Sequence, residues 1–307
     1  MRRYLVLRLL QGLFTLLLVM ITVFTIARVA GDPITLLVSF DSSQADIDRI
    51  REEMGLADPL PQQFARFMWD AARGDFGTSF RTGAPAMEEV LGRVPATLQL
   101  TAFALLISLA ISIPLGVLAA VTRGSLADVV ARLFALVGQA APNFWVGLML
   151  IFFFSVRLGW FPTGGRGGLD HMILPAITLG TSASASLTRL TRSAMLDVIH
   201  SDYVTMARAK GLPRRVVIFK HALRNALIPV VTILGVRAGV LISGSVIIET
   251  IFAWPGVGRL IIQAINVSDF PVVQAAVLLT ATTIILANFA TDIAYMFIDP
   301  RIRYVRT

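Results

Sequence analysis

Six stretches of this chain are apolar over the length a helix needs to cross a bilayer. A hydrocarbon core of roughly 30 Å takes about 20 residues in helix. The stretches span 9–27, 96–121, 130–156, 172–190, 227–248 and 272–298 of the 307 residues. In lipid every backbone polar group must be satisfied inside the segment, which selects helices. The expected fold class is therefore all-α, a polytopic membrane protein with six transmembrane helices. Composition agrees: 56% of residues are hydrophobic and 15% charged, and mean hydropathy is +0.75. A soluble domain carries about 25% charged residues. That balance excludes a disordered chain and argues against a soluble globular enzyme. Cysteine is absent, so disulfides and thiolate chemistry are too.

The first stretch follows Arg2, Arg3 and Arg8. It is too long for the apolar region of a signal peptide, and Arg28 stands at the −3 position of the one small-residue cleavage site, so it reads as a retained helix. The fourth, LPAITLGTSASASLTRL, is the most polar. Small residues let helices approach closely, and hydroxyls can bond between helices. It reads as an interior helix shielded from lipid, with a re-entrant or cytoplasmic segment as the alternative.

Loop charge sets orientation. Residues 189–224 hold eight basic and two acidic residues, and the N-terminus and the 301–306 tail add three arginines each. Residues 31–95 hold eleven acidic and six basic residues. Basic loops stay in the cytoplasm. Both termini, the Arg123 loop and the 189–224 loop are thus expected inside, and the 31–95, 157–170 and 249–271 loops outside. The net charge of +8 is spread over loops with no aromatic-interleaved patch, so no nucleic-acid partner is expected. Three regions are expected: an N-terminal transmembrane helix (1–30), an extracytoplasmic loop with short helices (31–95), and a five-helix core (96–307) with a cytoplasmic loop at 194–226.

The outer loop carries two helix signals. One begins at Ser43 and closes at Gly55; the other covers 61–72 and stops before Gly74. This loop reads either as a cap over the span ends or as a docking platform. In the cytoplasmic loop, SDYVTMARAKGLPRRVVIFKHALRNALIP, Ser201 or Asp202 can cap a short helix. Gly211 can take the left-handed position after its end, and Pro213 stops continuation. A basic helix then leads from Arg214 into the fifth span. The short helix suits either force transmission from a cytoplasmic partner or rest on anionic membrane lipid.

ARAKGLP followed by KHALRNALIPVVT resembles the EAA-type loop of binding-protein-dependent ABC transporter permeases, and more narrowly the B-type subunits of the dipeptide/oligopeptide/nickel group. The likeness continues through MGLADPLPQQFARF, GDFGTSF, RVPATLQLT, APNFWVGLMLIFFFSVRLGWFPTGG, ETIFAWPGVGRL, SDFPVVQAAVLL and TDIAYMFIDPRIRY, in one order along the chain. It implies a type I ABC importer permease fold in the bacterial inner membrane. It also implies a second homologous permease subunit, two ATPase subunits and an extracytoplasmic solute-binding protein. Asp202, Tyr203, Ala207, Arg208, Ala209, Lys210 and Gly211 would form the ATPase-coupling helix. Short peptides are the implied substrates, with nickel complexes, glutathione or glycosides as alternatives. A stand-alone ion-coupled carrier and a membrane scaffold are the other classes weighed.

The residues support this division of labour. The chain has two lysines, Lys210 and Lys220, and neither sits in a GxxxxGK[ST] loop. No cofactor is expected on this chain; ATP and Mg²⁺ would sit on partner subunits. No zinc motif or GxSxG elbow is present, so it reads as a non-catalytic subunit with no metal site. Charges inside spans are functional candidates. Arg237 lies mid-span, and it reads either as a pathway residue contacting a carboxylate or carbonyl, or as half of an ion pair that positions the helix. Ser182, Ser186 and Ser243 are further pathway candidates. Glu249, at the outer end of the fifth span, reads either as a candidate for gating or binding-protein docking, or as the plainer case of a carboxylate held by an interfacial N–H or arginine.

Overall fold

The computed structural model describes residues 2–29 and 57–298 and positions 45, 48, 49 and 52, with side chains at all but 2–4, 235–238, 243–244 and 294–298. Among these residues the chain is helical: α1 (Arg2–Val29), α2 (Leu60–Ala72), α3 (Ala86–Val121), α4 (Leu126–Ala140), α5 (Asn143–Leu150), α6 (Leu169–Ile199), α7 (Asp202–Ala209), α8 (Arg214–Val216), α9 (Leu223–Ile251), α10 (Val257–Asn266) and α11 (Phe270–Ile298). π-helical turns, Ile151–Arg157 and Val217–Ala222, follow α5 and α8.

Among the described residues, four helical stretches are long and apolar enough to cross a membrane: Leu5–Val29, Ala86–Val121, Arg214–Leu234 and Phe270–Ile293. The segment 130–156, expected as one span, is instead bent by 107° between α4 and α5. Pro142 lacks an N–H and disfavours helix at the residue before it, and Ala141 sits at φ −71°, ψ 126°. The pair counts as a fifth crossing only if both arms are taken together. The remaining expected span falls in α6, whose 31 residues are long enough but markedly polar. The second span begins ten residues earlier than its apolar core, because α3 opens at Ala86 with Glu88 and Glu89 in its first turn, where carboxylates suit the helix dipole. Most of the helix expected from Ser43 lies outside the described residues. Within the loop 249–271 the sequence reading missed α10, an amphipathic helix that buries Val257, Leu260 and Ala264.

Contacts gather the chain into two compact units, Met1–Thr97 with Pro255–Ile285 and Leu98–Trp254 with Leu286–Thr307. In the first, Phe24 of α1 meets Phe64 and Phe67 of α2 at ring-centroid distances of 5.3 and 5.7 Å. Arg28 lies 5.0 Å over Phe24 and donates from Nε to Gln63 at 2.8 Å. α2 starts with Pro61 in its first turn, and Gly74 (φ 77°) follows its end, as the turn signals require. Ala86 and Val90 of α3 pack with Val257, Leu260 and Ala264 of α10 and with Val272, Ala275 and Ala276 of α11. Asp269, buried ahead of α11, accepts hydrogen bonds from the Ser79 hydroxyl and the Phe80 N–H.

In the second unit α6 is the central helix; α4, α5 and α9 all pack on it. Several of its hydroxyls bond back to their own helix. Thr178, Thr181, Ser184 and Thr188 donate to the carbonyls of Leu174, Ile177, Gly180 and Ser184 at 2.7–2.8 Å. Satisfied this way, they can be buried at little cost. Small residues bring neighbours very close: a Cβ added at Gly138 would lie 2.8 Å from Ala185 Cβ, and one at Gly180 would lie 2.8 Å from the Ala104 carbonyl. Asp128, buried in the first turn of α4, takes a bidentate pair from Arg192 at 2.7 and 3.0 Å and a third bond from the Gly124 N–H.

Two glycines of α3 test this packing. A Cβ at Gly116 would stand 2.6 Å from Thr191 Cβ and 2.9 Å from the Thr188 carbonyl, whereas one at Gly92 meets nothing within 4 Å. Gly116→Ala is expected to lower stability by about 1–3 kcal/mol through overpacking. Gly92→Ala is expected to raise it by about 0.5–1 kcal/mol through helix propensity. Thermal denaturation in detergent reads both; shifts of the same sign would refute the close-packing account.

Candidate functional site

The loop after α6 folds as its turn chemistry dictates. Ser201 sits extended at the N-terminus of α7 (φ −71°, ψ 153°), although its hydroxyl donates back to Val198 O at 2.6 Å rather than capping α7. Asp202 occupies the first turn, where the helix dipole favours a carboxylate. The helix ends at Ala209; Lys210 and Gly211 close it with N–H bonds to Met206 O and Arg208 O at 3.0 and 2.9 Å, and Gly211 takes φ 74°. Pro213 then starts α8.

One face of α7 is fixed and the other is open. Val204 (0% exposed) and Ala207 (5%) insert into a cluster with Val117 and Ala120 of α3, Met195 of α6, and Val217, Ala222 and Ala226 beyond α8. Asp202, Tyr203, Met206, Arg208, Ala209, Lys210 and Gly211 are exposed. Two hydrogen bonds add to the attachment: Asn225 Nδ2 donates to the Tyr203 hydroxyl at 2.8 Å, and Arg208 donates to Ile199 O at 3.3 Å. An eight-residue helix has no stability of its own in water. It exists here because its buried face is clamped. Five of the sequence-expected coupling residues thus lie in α7 and Lys210 and Gly211 close its end, with Ala207 alone among the seven turned inward.

The other expected residues lie elsewhere. Ser182 and Ser186 are four residues apart on the less buried face of α6, which continues through exposed Arg189 and Ser193. Arg237 and Ser243 fall in α9, but their side chains lie outside the described residues. Glu249 is fully buried, as are its neighbours Ile248, Phe252 and Trp254. Its side chain therefore offers no exposed docking surface. His171 hydrogen-bonds through Nδ1 with Gly164 O at 3.1 Å, beside the Gly165 N–H that donates to Phe252 O. The Tyr203–Asn225 bond, the π turn between α8 and α9, and the Asp128–Arg192 pair had no sequence signal beyond residue type.

Residues 112–304 match the family model described as "Binding-protein-dependent transport system inner membrane component", and residues 1–101 match the N-terminal model of the same systems. The chain is 43% identical over 316 residues to the oligopeptide transport system permease protein AppB of Bacillus subtilis (strain 168), covering 99% of this chain and 100% of that one. Over 305 residues it is 40% identical to the glutathione transport system permease protein GsiC of Pectobacterium atrosepticum, again covering 99% and 100%. Among solved structures, an inward-facing MetNI methionine ABC transporter chain superposes with a TM-score of 0.54 at 21% identity, over 69% of this chain and 97% of that one. That likeness speaks to fold.

The clamp under α7 yields a direct test. Ala207→Leu adds volume to a closed cluster and is expected to cost about 1–3 kcal/mol locally. Trypsin cleavage after Arg208 and Lys210 should accelerate several-fold, while Ala209→Leu, on the exposed face, should leave the rate unchanged. Equal rates in both variants would contradict the assigned faces.

Proposed function

The chain belongs to the binding-protein-dependent transport system inner-membrane components, and we propose that it is one permease half of an ATP-driven importer of short peptides. Membership brings the general division of labour with it: an inner-membrane permease working with ATPase and solute-binding partners. The finer reading is ours. A second, homologous permease completes the pathway, and two ATPase subunits carry ATP and Mg²⁺, leaving this chain non-catalytic. Both termini face the cytoplasm, as the loop charges favour. Oligopeptide, dipeptide and glutathione permeases among the similar proteins favour peptides as substrates. Dependence on a binding protein leaves no place for the stand-alone carrier.

The observation that carries the coupling assignment is the two-faced α7. Its inner face joins the ends of α3, α6 and α9 in one cluster, and its outer face offers Tyr203, Met206, Ala209 and Lys210 to a partner. An ATPase pushing on that face moves the span ends as one packed body, the kind of rigid-body motion on which alternating access depends. Solute would pass along the half-buried Ser182–Ser186 face of α6 and beside Arg237 and Ser243.

Ala209→Trp places bulk on the docking face without touching the core. Loss of a central contact of about 2 kcal/mol corresponds to roughly 30-fold weaker association. ATPase subunits should therefore fail to co-purify and uptake should collapse, with permease abundance unchanged. Intact uptake with bound ATPase would remove the coupling assignment. For the pathway, uptake by Arg237→Ala, Arg237→Lys and Arg237→Gln is expected to fall, least for lysine; full activity in all three would take Arg237 out of it.

A further inference from the structure

A cleft of about 780 Å³ opens beside α7, between the ends of α3 and α6 and the start of α8. Its floor is apolar, formed in part by Leu196, Val204 and Val217. Its rim carries Arg123, Arg208, Arg214 and His200, and no acidic side chain lines it. Arg123 comes from the turn after α3 and Arg214 from the start of α8, so residues distant in sequence meet around one opening. Both are exposed, and neither forms a salt bridge among the described residues. The acid nearest to Arg123 in sequence, Asp128, is already bound by Arg192 and the Gly124 N–H. The cleft therefore combines net positive charge with an apolar base.

That combination selects an amphiphilic anion. Free phosphate could use the arginines and not the floor; a neutral lipid could use the floor and not the arginines. Basic pockets between helices on the cytoplasmic side suit anionic headgroups, and the volume is in the range of ligand sites. We infer that this cleft binds the phosphodiester head and upper acyl chain of an anionic phospholipid, which braces α7 against α3 and α8. The inference rests on the reading that α7 lies at the cytoplasmic membrane surface. Arg208 already reaches Ile199 O, so a headgroup at this position would join α7 to the end of α6 as well.

Two double variants remove equal charge: Arg123→Gln/Arg214→Gln in the cleft, and Arg215→Gln/Arg224→Gln outside its lining. Each basic residue near a headgroup is worth roughly fivefold in affinity, so the first pair should weaken lipid binding by roughly 25-fold. Native mass spectrometry of the complete transporter should show retained phosphatidylglycerol on the native protein and on the second variant, and loss from the first. In nanodiscs, substrate-stimulated ATP hydrolysis should rise with phosphatidylglycerol over phosphatidylcholine for the native complex, and this dependence should vanish only in the first variant. Inorganic phosphate added to phosphatidylcholine discs should not substitute. Equal loss in both variants, no retained lipid on the native protein, or full rescue by phosphate would each overturn the inference. Failure of ATPase subunits to engage α7 would defeat the coupling reading separately, since lipid retention is read without ATP hydrolysis.

Discussion

Hydroxyls that bond back to their own helix allow α6 to be both polar and buried. Thr178, Ser184 and Thr188 each give their proton to a carbonyl one turn earlier, so none needs a partner on another helix. The helix keeps the thin profile of a small-residue segment, and its neighbours come close: Gly116 of α3 and Gly138 of α4 admit α6 where even one methyl group would collide. Association of helices in lipid draws on such packing, because apolar burial alone separates helix from lipid poorly. The Asp128–Arg192 pair ties α4 to α6. Asp128 is buried, and the Gly124 N–H and Arg132, whose Nε lies 3.6 Å from the carboxylate, complete its surroundings.

α7 inherits its position from this arrangement. It is too short to persist alone, so its geometry is that of the cluster beneath it. Val204 and Ala207 touch residues from both ends of the loop, and the π turn Val217–Ala222 carries the chain from α8 into α9 with little change in helical direction. Extra residues in a helical turn often mark functional segments. Here the turn places Val217 and Ala222 on the buried side together, and the hydrogen bond between Tyr203 and Asn225 crosses from α7 to α9. A force on the exposed face of α7 thus meets a packed, hydrogen-bonded route into a membrane helix. Under the coupling proposal, that continuity is the mechanical requirement.

The unit formed by 1–97 and 255–285 solves a different problem. Beside the α3–α10–α11 cluster, polar and aromatic contacts hold its described turns. An aromatic cluster joins α1 to α2, and the Asp269 carboxylate collects donors from the turn at 79–80. A buried carboxylate is tolerated when donors surround it. Ser79 also accepts from the Thr82 N–H, so one carboxylate organises a whole turn.

By itself the sequence determined the elements whose signals are local. Apolar length marked the spans, Pro213 and Gly211 bounded α7, and Pro61 and Gly74 bounded α2, because backbone φ and the missing proline N–H act within one or two residues. Motif blocks were enough to identify the family. The tertiary structure decided what depends on partners distant in the chain. The amphipathic α10 was lost in a loop, since its buried face is defined only by α3 and α11. Pro142 disfavours helix at Ala141, but the 107° angle of the resulting bend is visible only in the structure. Glu249, a gating or docking candidate from its place at a span end, is fully buried together with Ile248, Phe252 and Trp254, and that burial was set by tertiary packing. The convergence of Arg123 and Arg214 on one cleft belongs to the same class: charge on a loop is written in the sequence, but which charges share a site is set by how the helix ends pack.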